Sequence, residues 1–190
     1  MTVSLDLATR VALPDTLRVL VAEFPRDAWQ ENKNFSGLIA FWLQKHMAFR
    51  NLLERMNADA EQALDRNADP LHYKRALARF GGMLINELHG HHQIEDAHYF
   101  PVMATLDQKV AAGFDLLDQD HHALDGILDG LAKGANAVLQ DPTGKDVFRD
   151  KVAAFRTQLQ DFEPMLNRHL IDEEELVVPV LLKYAPPQFR

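Results

Sequence analysis

One pattern occurs twice in the chain and constrains its fold more than any other feature. A histidine is followed four residues later by a glutamate and six residues after that by a proline, as His91, Glu95 and Pro101 and again as His169, Glu173 and Pro179. Side chains four apart on a helix project from one face, a turn apart, so each copy can offer an imidazole and a carboxylate to one metal ion. Two helices that face each other with such pairs make a metal site. A shorter repeat precedes each copy: His46-Met47-Ala48-Phe49-Arg50-Asn51-Leu52-Leu53 matches His121-His122-Ala123-Leu124-Asp125-Gly126-Ile127-Leu128 as His, any, Ala, large apolar, any, any, branched apolar, Leu. The chain reads as two halves, each giving one lone histidine and then one His/Glu pair.

Composition narrows the chemistry of such a site. The chain has no cysteine, which removes disulfides, iron–sulfur clusters, thiolate zinc sites and cysteine nucleophiles together. Any metal is then held through nitrogen and oxygen. The formal charge of -8 and the lack of a basic run argue against nucleic acid or an anionic membrane as partner, because both need clustered Lys and Arg. At 190 residues, 47% hydrophobic and 25% charged, the sequence suits one globular domain with a sizeable core. The first residues lack the basic start and apolar run of a secretory signal, and no stretch of membrane-spanning length is apolar, so a cytoplasmic location is expected.

Four long segments carry helical periodicity. The first runs from about Ser36 to Asp65, with Leu38, Ile39, Phe41, Trp42, Phe49, Leu52, Leu53 and Met56 recurring at threes and fours, and ends in the polar turn Arg66-Asn67-Ala68-Asp69. Asp69-Pro70 opens the second as N-cap and first-turn proline, and it reaches about Leu106 with an expected kink or end at Pro101. The third spans about Gln108 to Gln140 and stops at Asp141-Pro142-Thr143-Gly144. The fourth runs from near Lys145 to about Tyr184, with expected kinks at Pro164 and Pro179. Residues 1–35 are less regular: Leu17, Leu20, Val21 and Phe24 suggest a short helix from Asp15 that Pro25 closes, packed so as to leave the main site unaffected.

Short turns between long helices imply antiparallel neighbours. The expected fold is therefore all-α, an up-down antiparallel four-helix bundle over residues 36–184, with residues 1–35 as an N-terminal arm carrying a short extra helix and residues 185–190 as a tail. At 1.5 Å per residue, His46 and His91 both stand about 30 Å from the turn their helices share, and His91 and His121 both stand about 22 Å from the next turn. His121 and His169 are similarly level, within about a turn or two. The expected centre uses His46, His91, His121 and His169 as nitrogen ligands and Glu95 and Glu173 as carboxylates, an imidazole and carboxylate mixture that suits iron, manganese or zinc. Six protein ligands for two ions leave open positions, which favours chemistry or small-ligand binding over a closed structural site.

These stretches resemble the hemerythrin-like, or HHE cation-binding, domain family. The resemblance covers about residues 36–184 and is carried by the segment from Phe41 to Leu53, by HHQIEDAHYFP from His91 to Pro101, by DHHALDGIL from Asp120 to Leu128 and by HLIDEEELVVP from His169 to Pro179. It implies a four-helix bundle around a non-haem di-iron centre with a small diatomic or peroxide ligand, and it carries over to the same six residues. The chain departs from the oxygen carriers on the third helix, where they have histidines four apart: Asp125 stands four after His121, and Asp118 four before His122. Lacking that fifth histidine, the chain looks more like family members that sense or process oxygen, peroxide or nitric oxide than like a reversible carrier. The alternative is a metal-binding regulatory, storage or repair module without turnover, although repair proteins of the family usually carry a cysteine-bearing N-terminal module absent here.

Neighbouring residues compete for the same roles. His89 and His92 lie far round the helix from His91 and are expected at the surface or behind the ligands. His122 competes with His121, and Glu174 with Glu173, though Glu174 and Glu175 are otherwise expected on a solvated face. His98 completes a Glu-x-x-His with Glu95, the di-iron signature of ferritin-like bundles, but three residues after Glu173 stands Leu176, so the required second copy is missing. A role for His98 behind the ligands or in an entry channel stays open, as does an orienting role for Asp125 or Arg50, one turn beyond the lone histidines, and direct ligation by Asp125. Gly81 and Gly82 inside the second helix read equally as close packing, a gate or a tolerated weak point. No His-Glu-x-x-His, Gly-x-Ser-x-Gly or phosphate-binding glycine loop is present, so hydrolytic chemistry lacks support.

Overall fold

The computed structural model describes residues 4–65, 68–142 and 146–189. Among these the chain is helical and contains no strand. A short helix α1 (Val19–Glu23) and a 3-10 turn (Arg26–Glu31) lie in the N-terminal arm, followed by α2 (Gly37–Ala63) and α3 (Pro70–Ile94). A π-helical turn (Glu95–Tyr99) leads into α4 (Phe100–Leu106), and then come α5 (Ala111–Leu139), α6 (Asp146–Tyr184) and a 3-10 turn (Pro187–Phe189). The expected turn residues Arg66 and Asn67 and the break at Thr143-Gly144-Lys145 fall outside the described residues.

Local chemistry sets the helix ends. Ser36 Oγ accepts the Ile39 amide and starts α2, Asp69 accepts the Leu71 amide ahead of α3, and Asp107 accepts the Lys109 amide ahead of α5, each satisfying an amide that a helix start leaves without a partner. At the end of α6, Ala185 takes φ 40 while its amide bonds the Leu181 carbonyl, and Pro186 prevents continuation. Pro164 and Pro179 do not interrupt α6. Pro101 has an earlier effect. Its ring supplies no amide, and the turn before it is wide, with the Phe100 amide donating to the carbonyl of Glu95.

Contacts divide the chain into two compact units, and each long helix contributes a stretch to both. Unit 1 comprises residues 1–47, 92–123 and 165–190. Its core is built from Trp29 of the arm, Ile39 and Trp42 of α2, Phe100 and Met103 of α4, Phe114 and Leu117 of α5, and Leu176, Val177 and Val180 of α6. Complete burial of side chains of this size stabilises by about 1.5–3 kcal/mol each. Gly113 permits a close approach here, since a Cβ at that position would stand 2.7 Å from Leu176. Unit 2 comprises residues 48–91 and 124–164 and buries Phe49, Leu53, Leu84, Leu88, Leu124, Phe148, Phe155 and Phe162. Gly81 needs no close approach in this unit: a Cβ there would make only ordinary contacts, 3.5 Å from Leu77 and 3.7 Å from Met56, and one at Gly82 would meet nothing. No helix among the described residues is long and apolar enough to cross a membrane.

The arm departs from expectation. Its helix is shorter and starts at Val19, and the segment does not leave the region of the histidines untouched. Arg10 is buried against Asp120 of α5 and Asp172 of α6, while Arg26 and Arg18 pair with Glu174 and Glu175 of α6. Only long-range contacts recruit these arginines, which is why helical periodicity gave no sign of them.

Candidate metal centre

Histidines and carboxylates converge among the described residues in two groups, each with its ligand atoms within 4.8 Å of one another. The first consists of His92, His121 and His169, all buried in unit 1. The second consists of His46, Glu95 and Glu173 of unit 1 together with His91, which adjoins His92 along α3 and is the last residue of that stretch of unit 2. In the first group His92 lies flat against His121, with centroids 4.0 Å apart and 9° between planes. His169 stands edge-on to both.

The carboxylates link the groups. Glu173 Oε2 lies 3.4 Å from His46 Nε2 and 3.5 Å from His169 Nε2, and Glu95 Oε2 lies 3.6 Å from His121 Nε2. Glu173 Oε1 accepts the indole N–H of Trp42, four residues before His46 on the same face of α2. Each of three imidazoles also meets a carboxylate through Nδ1: His46 meets Glu174 at 3.0 Å, His121 meets Asp96 at 2.7 Å and His169 meets Asp120 at 3.5 Å. A carboxylate at Nδ1 places the proton there and leaves the Nε2 lone pair for a metal.

These residues fit a metal on their own evidence. Nε2 of His121 and Nε2 of His169 are buried and make no hydrogen bond among the described residues, a costly state for an imidazole nitrogen that coordination removes. Burial raises the Glu95 carboxyl well above its ordinary range, and the neighbouring Glu173 raises it further. Burial opposes the charge on His46, but Glu173 and Glu174 outweigh it and lift this imidazolium to about 9. His169 lies below its ordinary value because burial prevails over its bond to Asp120. Two carboxyls crowded together and buried among imidazoles are the electrostatic signature of a place where a cation stands in for protons.

All six residues singled out by the repeat lie in these groups, and a seventh joins them. His92 is buried beside His121 and His169, not at the surface. The reason is azimuthal: at about 100° per residue, Glu95 falls between His91 and His92, and a core-facing stripe about 100° wide holds all three. The adjacent His91-His92 pair was the available signal. A fifth imidazole therefore joins the two groups, supplied by α3 and not by α5. Glu174 is buried between His46 and Arg26, and Glu175 pairs with Arg18, so the expected solvated face is not one.

The remaining competitors stand apart. His122 is exposed and lies 3.8 Å from Asp118. His98 is exposed, and Asp125 pairs with His89 in unit 2. Arg50 is half-buried and belongs to neither group.

Comparison with known proteins agrees with this donor set. The family model described as hemerythrin HHE cation binding domain matches residues 37–184. Neither the curated proteins nor the solved structures give a match. The matched span holds α2 through α6 and every residue of both groups, so the chain belongs to the hemerythrin HHE cation-binding family, and membership implies that it binds a metal cation.

Proposed function

We propose that the chain is an up-down four-helix hemerythrin-like protein that holds two iron ions and uses them to bind or sense dioxygen or a related small oxidant such as peroxide or nitric oxide. The observation that carries this reading is the pair of ligand groups joined by carboxylates. His92, His121 and His169 would hold one ion, His46 and His91 the other, and Glu95 and Glu173 would reach both. In support of the up-down arrangement, unit 1 gathers the first parts of α2 and α5 with the last parts of α3 and α6.

Two adjacent iron ions, when bound, supply one-electron chemistry at neighbouring positions. The chain's own residues determine what reaches them. With three imidazoles in one group and two in the other, an ion held beside His46 and His91 would have fewer imidazole donors, which would suit a small ligand at that end. Phe100 packs against His121 at 5.4 Å between ring centroids, and Phe49 against His91 at 5.3 Å. Such apolar walls exclude water and strengthen electrostatic interactions within the site.

Metal analysis of protein purified without added metal, followed by anaerobic loading with ferrous iron, tests the reading. Two irons per chain and a visible absorption that changes with azide, peroxide or nitric oxide are expected. A stoichiometry clearly below two, or an absorption indifferent to all three ligands, would overturn it. Metal-dependent binding of a protein partner, without any response to oxidant, would favour the regulatory alternative.

A further inference from the structure

We propose that the N-terminal arm positions two imidazoles of the metal centre, with Arg10 acting through Asp120 on His169 and Arg26 acting through Glu174 on His46. The inference rests on the metal-binding reading of those histidines and adds a role for a segment that lies outside the matched domain span. It begins with a fully buried guanidinium. Arg10 donates through Nη1 and Nη2 to the two oxygens of Asp120 and through Nε to Asp172 at 2.8 Å, while Nη1 also bonds the Leu5 carbonyl at 2.6 Å. Asp120 Oδ2, the oxygen facing Nη2, also faces His169 Nδ1 at 3.5 Å.

A fork gripping both oxygens prevents the Asp120 carboxylate from rotating, and so fixes the direction in which it meets the imidazole. That imidazole then keeps its proton on Nδ1 and aims Nε2 at the centre. Arg26 repeats the arrangement with different parts. Its guanidinium stands 5.0 Å from the Trp29 ring centroid in the same 3-10 turn and donates to Glu174 Oε2, while Glu174 Oε1 faces His46 Nδ1 at 3.0 Å. One carboxylate thus bridges the arm and a candidate ligand in each case.

Arg18 provides the control. It makes the same kind of bond, Nε to Glu175 at 2.9 Å, and is likewise partly exposed. Glu175 belongs to neither ligand group and is not among the carboxylates that meet the candidate ligands at Nδ1. An arm that merely adheres to the helices needs Arg18 as much as Arg26; an arm that positions ligands does not.

The test uses the full chain loaded with zinc, a redox-silent probe, and follows zinc release to excess chelator. Arg26→Gln and Arg10→Gln should release zinc about 10- to 100-fold faster than the unsubstituted chain, the scale seen when a residue supporting a metal ligand is lost. Arg18→Gln should release it at the unsubstituted rate, and Arg26→Lys should recover part of the loss. Melting of the metal-free protein should respond equally to Arg18→Gln and Arg26→Gln. Should Arg10→Gln fail to fold, half-exposed Arg26 carries the test. Unchanged release from Arg26→Gln, or equal acceleration by Arg18→Gln, overturns the inference while leaving the metal site standing. An unsubstituted chain that holds neither zinc nor iron overturns the metal reading, and the inference with it.

Discussion

The imidazole of His92 lies parallel to that of His121, with ring centroids 4.0 Å apart, although the two residues come from different helices, α3 and the first part of α5. Stacking at this distance leaves no room for water between the rings, and both meet the His169 ring edge-on. His92→Ala should therefore lower metal content toward one ion per chain and weaken the remaining binding by at least about tenfold. His122→Ala, at the exposed neighbouring position, should change neither. Metal analysis after dialysis against a graded chelator separates the two.

Trp42 donates its indole N–H to Glu173 Oε1 from outside the histidine groups. Replacement by Phe keeps most of the apolar volume but removes the N–H that this buried carboxylate accepts, at a cost of about 1–3 kcal/mol. Denaturant unfolding of metal-free protein should record that loss. Iron-loaded Trp42→Phe should also show a shifted visible absorption, because the freed carboxylate can change how it binds. An unshifted spectrum with full stability would show the hydrogen bond to be unimportant.

The charge state of the ligands predicts how metal binding follows pH. His46 in the metal-free chain stays protonated up to about 9, and burial with the neighbouring Glu173 raises the Glu95 carboxyl above its ordinary range, so a metal must displace the His46 proton at neutral pH. Affinity should rise from pH 6 toward 9 and fall on acidification. Unchanged zinc affinity across that window would contradict this.

Folding stability of the metal-free protein should follow the opposite course in the alkaline range. A raised histidine contributes stability that is full below its ordinary value of 6.5 and is lost as pH rises through about 9. Raised Glu95 acts in the same direction. His169, lowered by burial, contributes stability present above its ordinary value and lost as pH falls. Melting temperature of metal-free protein should therefore decline on the alkaline side, and added metal should abolish that decline.

Ala185 ends α6 in the left-handed region at φ 40, where a Cβ is strained and glycine is not. Ala185→Gly should stabilise the protein by about 0.5–1 kcal/mol, after allowance for the greater freedom of glycine in the unfolded chain. A rise in melting temperature of about 1–4 °C would record it. No rise would mean that the neighbouring contacts relieve the strain.

What could be read from the sequence follows from short-range geometry. Helical periodicity located α2, α5 and α6 to within a few residues of their observed ends, because apolar spacing and capping residues act within a turn or two. The same logic selected His46, His91, Glu95, His121, His169 and Glu173, which the structure brings into two groups. It misplaced His92 because a single azimuth was taken where a helix offers a broad face. It also misread Glu174, whose environment is set by Arg26, 148 residues away.

By itself, the sequence determined the family, the long helices and the donor chemistry: no cysteine, imidazoles and carboxylates at one-turn spacing, and repeated contexts that survive in the linear order. Tertiary structure alone decided that three imidazoles gather on one side, that Glu173 lies between His46 and His169, and that arginines of an irregular arm grip the carboxylates behind the histidines. The difference is physical. Periodicity records which way a side chain points along its own helix, whereas pairing of buried charges depends on segments far apart in the chain meeting at hydrogen-bond distance, and no local pattern encodes that.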